Sequence, residues 1–178
     1  MSIELSALAM ENNCLDPLDT IEVANWFVGK AARVGNPITA MKLQKLIYYA
    51  HGWCLGLWEK PLVAQQVEAW TWGPVFSDVY HAVKHNGSKQ ITQLIRDEYG
   101  HVPAIPENDP RIPLLKQIWK IYSPFTAIQL SNMTHEKDSP WDKTRNKNPG
   151  RRGTDIEDNI LIEHFRQKAR QGNNQKND

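Results

Sequence analysis

The sequence predicts a mainly α-helical domain with a minor β element. Three observations carry that prediction. Apolar residues recur at the helical period in several separate stretches, each with its own cap and stop residues. Only the stretch Val67–Trp72 alternates with period two. The length of 178 residues fits one domain, with about six helices and no internal repeat. The expected layout is an arm over 1–18, a helical domain over 19–170 and a polar, disordered tail over 171–178.

Asp19-Thr20-Ile21-Glu22 supplies an N-cap and a first-turn acid, and Ile21, Ala24, Val28 and Ala31 follow on one face. Gly35, Asn36 and Pro37 stop that helix. Thr39 caps the next one, where Leu43, Leu46, Ile47, Ala50, Cys54 and Leu57 keep the period over four turns. Lys42, Lys45, Tyr48, Tyr49 and His51 are expected on its other faces, and Glu59-Lys60-Pro61 ends it. Gly73-Pro74 reads as a turn with Pro74 as the first residue of a helix carrying Val75, Val79 and Val83, stopped at Asn86-Gly87.

Residues 88–108 read as a loop with a small strand near Ile91–Ile95. Asp109 and Pro110 open a helix with the stripe Ile112, Leu115, Ile118, Trp119 and Tyr122. Ala127, Leu130 and Met133 mark a shorter helix, and Asp138–Gly153 reads as a loop. Thr154 and Glu157 match a capping box for a last helix that points Ile156, Ile160, Leu161 and Phe165 inward.

Charge is balanced, with 21 Lys plus Arg against 20 Asp plus Glu, so bulk electrostatics do not make this a polyanion binder. No apolar run is long enough to span a membrane, and Met1–Met10 lacks the pattern of a signal peptide. Two cysteines, Cys14 and Cys54, fit a reducing cytoplasm; Cys54 on the apolar stripe reads as a small buried hydrophobe. Phosphate-loop, nucleophile-elbow, HExxH and CxxC motifs are all absent.

Three features have chemical potential. His81 and His85, four apart, suit one metal ion if Glu68 or Asp78 joins them, and a solvated pair is the plainer reading. Lys143, Arg145, Lys147, Arg151 and Arg152 put five cations and no acid in ten residues, with Trp141 just before them to stack on a base; this suits phosphates, and the plainer reading is a solvated loop. The third is the excess of tryptophan, seven in all. Trp26, Trp53, Trp58 and Trp119 sit near helical stripes and read as core. Trp70 and Trp72, in an extended segment, share a face with Glu68 and form either an anchor patch or an internal packing face.

Three ordered motifs carry a family resemblance. The run from Pro37 to Trp53 contains Lys42-Leu43-Gln44-Lys45-Leu46-Ile47-Tyr48-Tyr49-Ala50. Pro61-Leu62 then precedes Glu68-Ala69-Trp70-Thr71-Trp72-Gly73-Pro74-Val75 and Val79-Tyr80. The third is Leu130-Ser131-Asn132-Met133-Thr134-His135-Glu136, closing at Pro140-Trp141. Together, over about Thr20 to Phe165, they resemble the Panacea domain family, which includes SocA-like antitoxins and GepA phage-associated proteins; Trp72 is a mild departure from the usual residue before Gly-Pro.

The resemblance implies an antitoxin that neutralises a cognate protein toxin, encoded by an adjacent gene, through direct contact. One branch, the SocA-like one, acts instead as an adaptor that delivers its toxin to a cytoplasmic protease. Neither role needs a catalytic residue, so no enzymatic activity, metal or cofactor is expected, and no separate DNA-binding domain. The motifs and the paired tryptophans give Glu68, Trp70, Trp72, Gly73, Pro74, Tyr80, His135 and Trp141 as the expected partner-binding set. A nucleic-acid role for the basic stretch is the weaker alternative.

Overall fold

Helix α1 (Thr20–Arg33) begins at the cap the sequence predicts: Asp19 accepts from the Ile21 amide, and Glu22 reaches back to the Asp19 amide. The computed structural model describes residues 16–151 and 153–174. Most of the expected arm, including Cys14, lies outside them; Leu18 joins the fold, bridging to Val63 with backbone bonds to Leu62 and Ala64. The domain is mainly α with a small sheet, as expected.

Helix α2 (Ala40–Trp58), capped by Thr39, runs through the centre. It is buried from Leu43 to Gly56 on every face, and this corrects the expected amphipathic helix. Lys45, Tyr48, Tyr49 and His51 are inside because helices pack against it from several sides. Cys54 is buried as expected, and burial pushes its thiol up to about 12. Helix α7 (Asp158–Asn174) lies closest, its Phe165 seated on Gly52 and Gly56, where a Cβ at either glycine would collide with the ring. Helix α4 (Ile112–Tyr122) closes another side, with Tyr122 stacked on Tyr49 at 4.0 Å and accepting a bond from Trp53 Nε1 at 2.8 Å.

The period-two stretch forms strand β1 (Glu68–Trp70), which is central in a three-stranded antiparallel sheet of order β2-β1-β3. Gly73 and Pro74 do not open a helix: Gly73 closes the turn at Thr71–Trp72, and both residues form strand β2 (Gly73–Val75). Proline is tolerated there because it faces Ala69 at the position next to the turn-closing Trp70–Gly73 pair, where no ladder bond is due from its nitrogen. Helix α3 (Ser77–Val83) therefore starts three residues later than Pro74, and a 3-10 turn (Lys84–Asn86) ends at Gly87.

Four further expectations are corrected. No strand forms at Ile91–Ile95; that segment is held by Asn25, which accepts from the Ile95 amide and donates to the Ile95 and Pro103 carbonyls. Asp109 does not cap α4 but grips the Arg111 guanidinium at 2.7 and 2.9 Å. The expected loop 138–153 contains helix α6 (Pro140–Lys147), capped by Ser139 with Pro140 in its first turn, and it follows helix α5 (Ala127–Thr134). Thr154 is not a cap: strand β3 (Thr154–Asp155) pairs with β1, and α7 runs on through Asn174 into the expected tail.

Candidate functional site

The hairpin β1–β2 is the centre of the site, and its turn is built by sequence. Thr71 and Trp72 both have negative φ, so the chain reverses through Gly73, at φ +102°. A Cβ on Gly73 would lie 2.7 Å from Lys45 Nζ and 2.8 Å from Thr134 Oγ1. Glycine is thus required twice, for its backbone angle and for close approach.

Beneath the turn, side chains hold alternate carbonyls of the hairpin. Trp141 Nε1 donates to Trp70 O at 2.7 Å and Ser131 Oγ to Trp72 O at 3.0 Å. Lys45 Nζ donates to Pro74 O at 3.0 Å and Gln44 Nε2 to Phe76 O at 3.0 Å, while Gln44 Oε1 accepts from the Phe76 amide at 2.8 Å. Two of these donors come from α2, one from α5 and one from α6, so four side chains clamp one short segment.

The electrostatics behind the hairpin follow from burial. Lys45 is 1% exposed, and desolvation of its ammonium brings the pKa down to about 7. His135, at the end of α5, is pushed below its ordinary value by burial and then by the charge on Lys45. Its ring lies on Trp141 with centroids 3.9 Å apart, and its buried Nε2 has no hydrogen-bond partner among the described residues.

The hairpin also borders a largely apolar cavity of about 620 Å³ between the start of α2, the turn and α3. Trp70, Trp72, Tyr80, Met41, Val75 and Val83 contribute to its wall, together with Gln44 and Lys45. Trp72 is 71% exposed, Tyr80 and Met41 38% each. Tyr80 lies against Trp70 at 4.8 Å, and Glu68 accepts from Trp70 Nε1 at 2.9 Å.

The expected set therefore divides. Trp70, Trp72 and Tyr80 meet at the cavity, with Glu68 bonded to Trp70. Trp72 sits in the turn and not on a strand face shared with Trp70, because β1 ends at Trp70. Gly73 and Pro74 are buried, and His135 and Trp141 stand behind the hairpin. Sequence reasoning missed Gln44, Lys45, Ser131 and Thr134, although all four lie inside runs already singled out as motifs, and it assigned Lys45 to an outer face.

The basic stretch is partly engaged elsewhere. Arg145 lies 5.9 Å over the Trp141 ring and donates to Arg151 O at 2.8 Å, and Lys143 pairs with Glu163 at 3.9 Å. Lys147 and Arg151 are exposed, and Arg152 lies outside the described residues. His81 faces Lys84 and His85 faces Asn86, on either side of the end of α3. Among the described residues no three His, Cys, Asp or Glu side chains converge as a metal site, and no helix is long and apolar enough to cross a membrane.

The model of a family described as antitoxin SocA-like, Panacea domain, matches residues 43–142. The chain belongs to this SocA-like Panacea family. The protein named antitoxin SocA from Caulobacter vibrioides (strain NA1000 / CB15N) is 34% identical over 157 residues, which cover 84% of this chain and 83% of that protein. No solved structure matches. The matched Panacea region holds the whole hairpin and all four side chains that clamp it, and it ends before the basic stretch begins at Lys143.

Proposed function

We propose that this Panacea protein is an antitoxin that binds a protein toxin encoded by an adjacent gene and masks the toxin's working surface. The toxin docks over the hairpin turn, with Trp72, Tyr80 and Met41 as its anchors. Family membership supports the class of activity. The observation that carries the site is a large exposed Trp72 ring on a turn whose backbone is clamped from behind. Such a ring buries a large area on binding and loses little freedom, because the backbone beneath it is already ordered.

The test is genetic and then biochemical. The neighbouring open reading frame is expressed alone and together with this chain. Growth arrest by the neighbour alone, relieved by co-expression, with the two proteins purifying as a complex, is the expected result. Persistent arrest despite expression of this chain sinks the proposal. Relief accompanied by protease-dependent loss of the toxin would assign the chain to the adaptor branch.

A further inference from the structure

Among the described residues Lys45 is the one buried lysine, and it lies in the wall of the cavity beside the turn. An ammonium has three N–H donors, and among the described residues only the bond to Pro74 O at 3.0 Å is made. No carboxylate among the described residues is within ion-pair reach of it. A buried cation is normally paired, because its desolvation is otherwise uncompensated. The remaining wall is mainly aromatic and aliphatic, from Trp70, Trp72, Tyr80 and Met41, with Gln44 and Thr71 as its other polar side chains. At about 620 Å³ the cavity has the size of sites that enclose a small ligand or a residue or two of peptide.

We propose that this cavity captures the C-terminal residue of the protein partner, a large apolar or aromatic residue whose free carboxylate pairs with Lys45 while its side chain lies against the ring wall. Charge complementarity selects the carboxylate. The breadth of the apolar wall selects the chain end over an acidic side chain: a terminal Phe, Leu or Trp brings charge and bulk together, whereas a glutamate brings only a two-carbon stem. The proposal rests on the reading of this face as the toxin-docking surface.

The experiment uses the full chain and three peptides: N-acetyl-Gly-Gly-Phe with a free carboxylate, the same peptide as its C-terminal amide, and N-acetyl-Gly-Gly-Glu as its C-terminal amide. Binding is read by the indole N–H signals in a nitrogen–proton correlation spectrum. The free acid is expected to bind at least 10-fold tighter than either amide. Trp72→Ala is expected to weaken the two Phe peptides by a similar factor, and Lys45→Met to abolish the preference for acid over amide. Equal binding of acid and amide, or no binding of any peptide, overturns the proposal even if Lys45→Met fails to fold. A Glu peptide as tight as the free acid overturns the assignment to a chain end. Relief of toxin arrest is scored separately, so the antitoxin reading can survive the loss of this one.

Discussion

The two sides of the hairpin β1–β2 are built for different work. Behind it, Gln44, Lys45, Ser131 and Trp141 bond to successive even-numbered carbonyls and Thr134 packs against Gly73, with Gln44 and Lys45 also reaching the wall of the cavity. In front, Trp72, Tyr80 and Met41 show large apolar surface to solvent. All of these residues sit in or beside the same three motifs, so motif membership does not separate holding from contacting. The difference teaches that the polar residues of the motifs fix the backbone and the aromatic ones exploit it.

If the rear side is a clamp, breaking it costs folding. Gly73→Ala is expected to have the largest effect. It forces a side chain into φ +102° and into contact with Lys45 and Thr134. We expect a loss of about 3–4 kcal/mol, with a fall in Tm of roughly 10 °C and loss of partner binding. Gln44→Ala comes next, at about 2 kcal/mol, since it leaves the amide of buried Phe76 unpaired, while the Phe76 carbonyl keeps its bond from the Tyr80 amide. Denaturant unfolding measures both; wild-type stability in either variant would show that the clamp is incidental.

The front of the hairpin was more legible in the sequence than the rear. Period-two alternation at Val67–Trp72 and the tryptophan excess pointed to Trp70 and Trp72. Nothing local pointed to Lys45. On a helix wheel it falls off the apolar stripe, and only the packing of several elements around α2 buries it. The clue was Gly52 and Gly56, one turn apart, which let Phe165 come close. Other misses share a cause. Ser139-Pro140 is a good helix start, hidden by the basic, loop-like composition that follows. Thr154 and Glu157 satisfy a capping pattern, and pairing with β1 overrides it. Helix caps that no tertiary contact contradicts, Asp19 and Thr39, were read correctly.

Acid and base test the clamp more gently. The Lys45 ammonium titrates at about 7 in the fold and at 10.5 when unfolded. Between those values the unfolded chain holds more protons, so stability rises with pH there, by at most about 1.4 kcal/mol per pH unit. Below about 7 the penalty for burying the charge is full and constant. His135, which faces Lys45 from α5, has its pKa lowered from 6.5 and is neutral across this window. Cys54 acts in the opposite direction: its thiol moves from 9.0 to about 12 on folding, so its contribution falls above about pH 9. Unfolding free energies at pH 7 and 8.5 should therefore differ in the wild type and be level in Lys45→Met. A flat wild-type profile would mean that Lys45 is not held as a buried cation.

Trp72→Ala has the smallest expected effect on folding and separates the two sides most sharply. The ring is 71% exposed and its carbonyl, not its side chain, takes the bond from Ser131. Alanine keeps that carbonyl and the negative φ of the turn, so unfolding free energy should move by no more than about 0.5 kcal/mol. Affinity for the toxin should fall by about 2 kcal/mol, roughly 30-fold, as expected for a central aromatic anchor. Calorimetric titration of the co-purified partner, alongside thermal melts of the same samples, reads both quantities. A variant that melts early but binds normally when folded would place Trp72 with the clamp and leave Tyr80 and Met41 to make the contact, because rigidity and recognition would then reside on the same side of the hairpin.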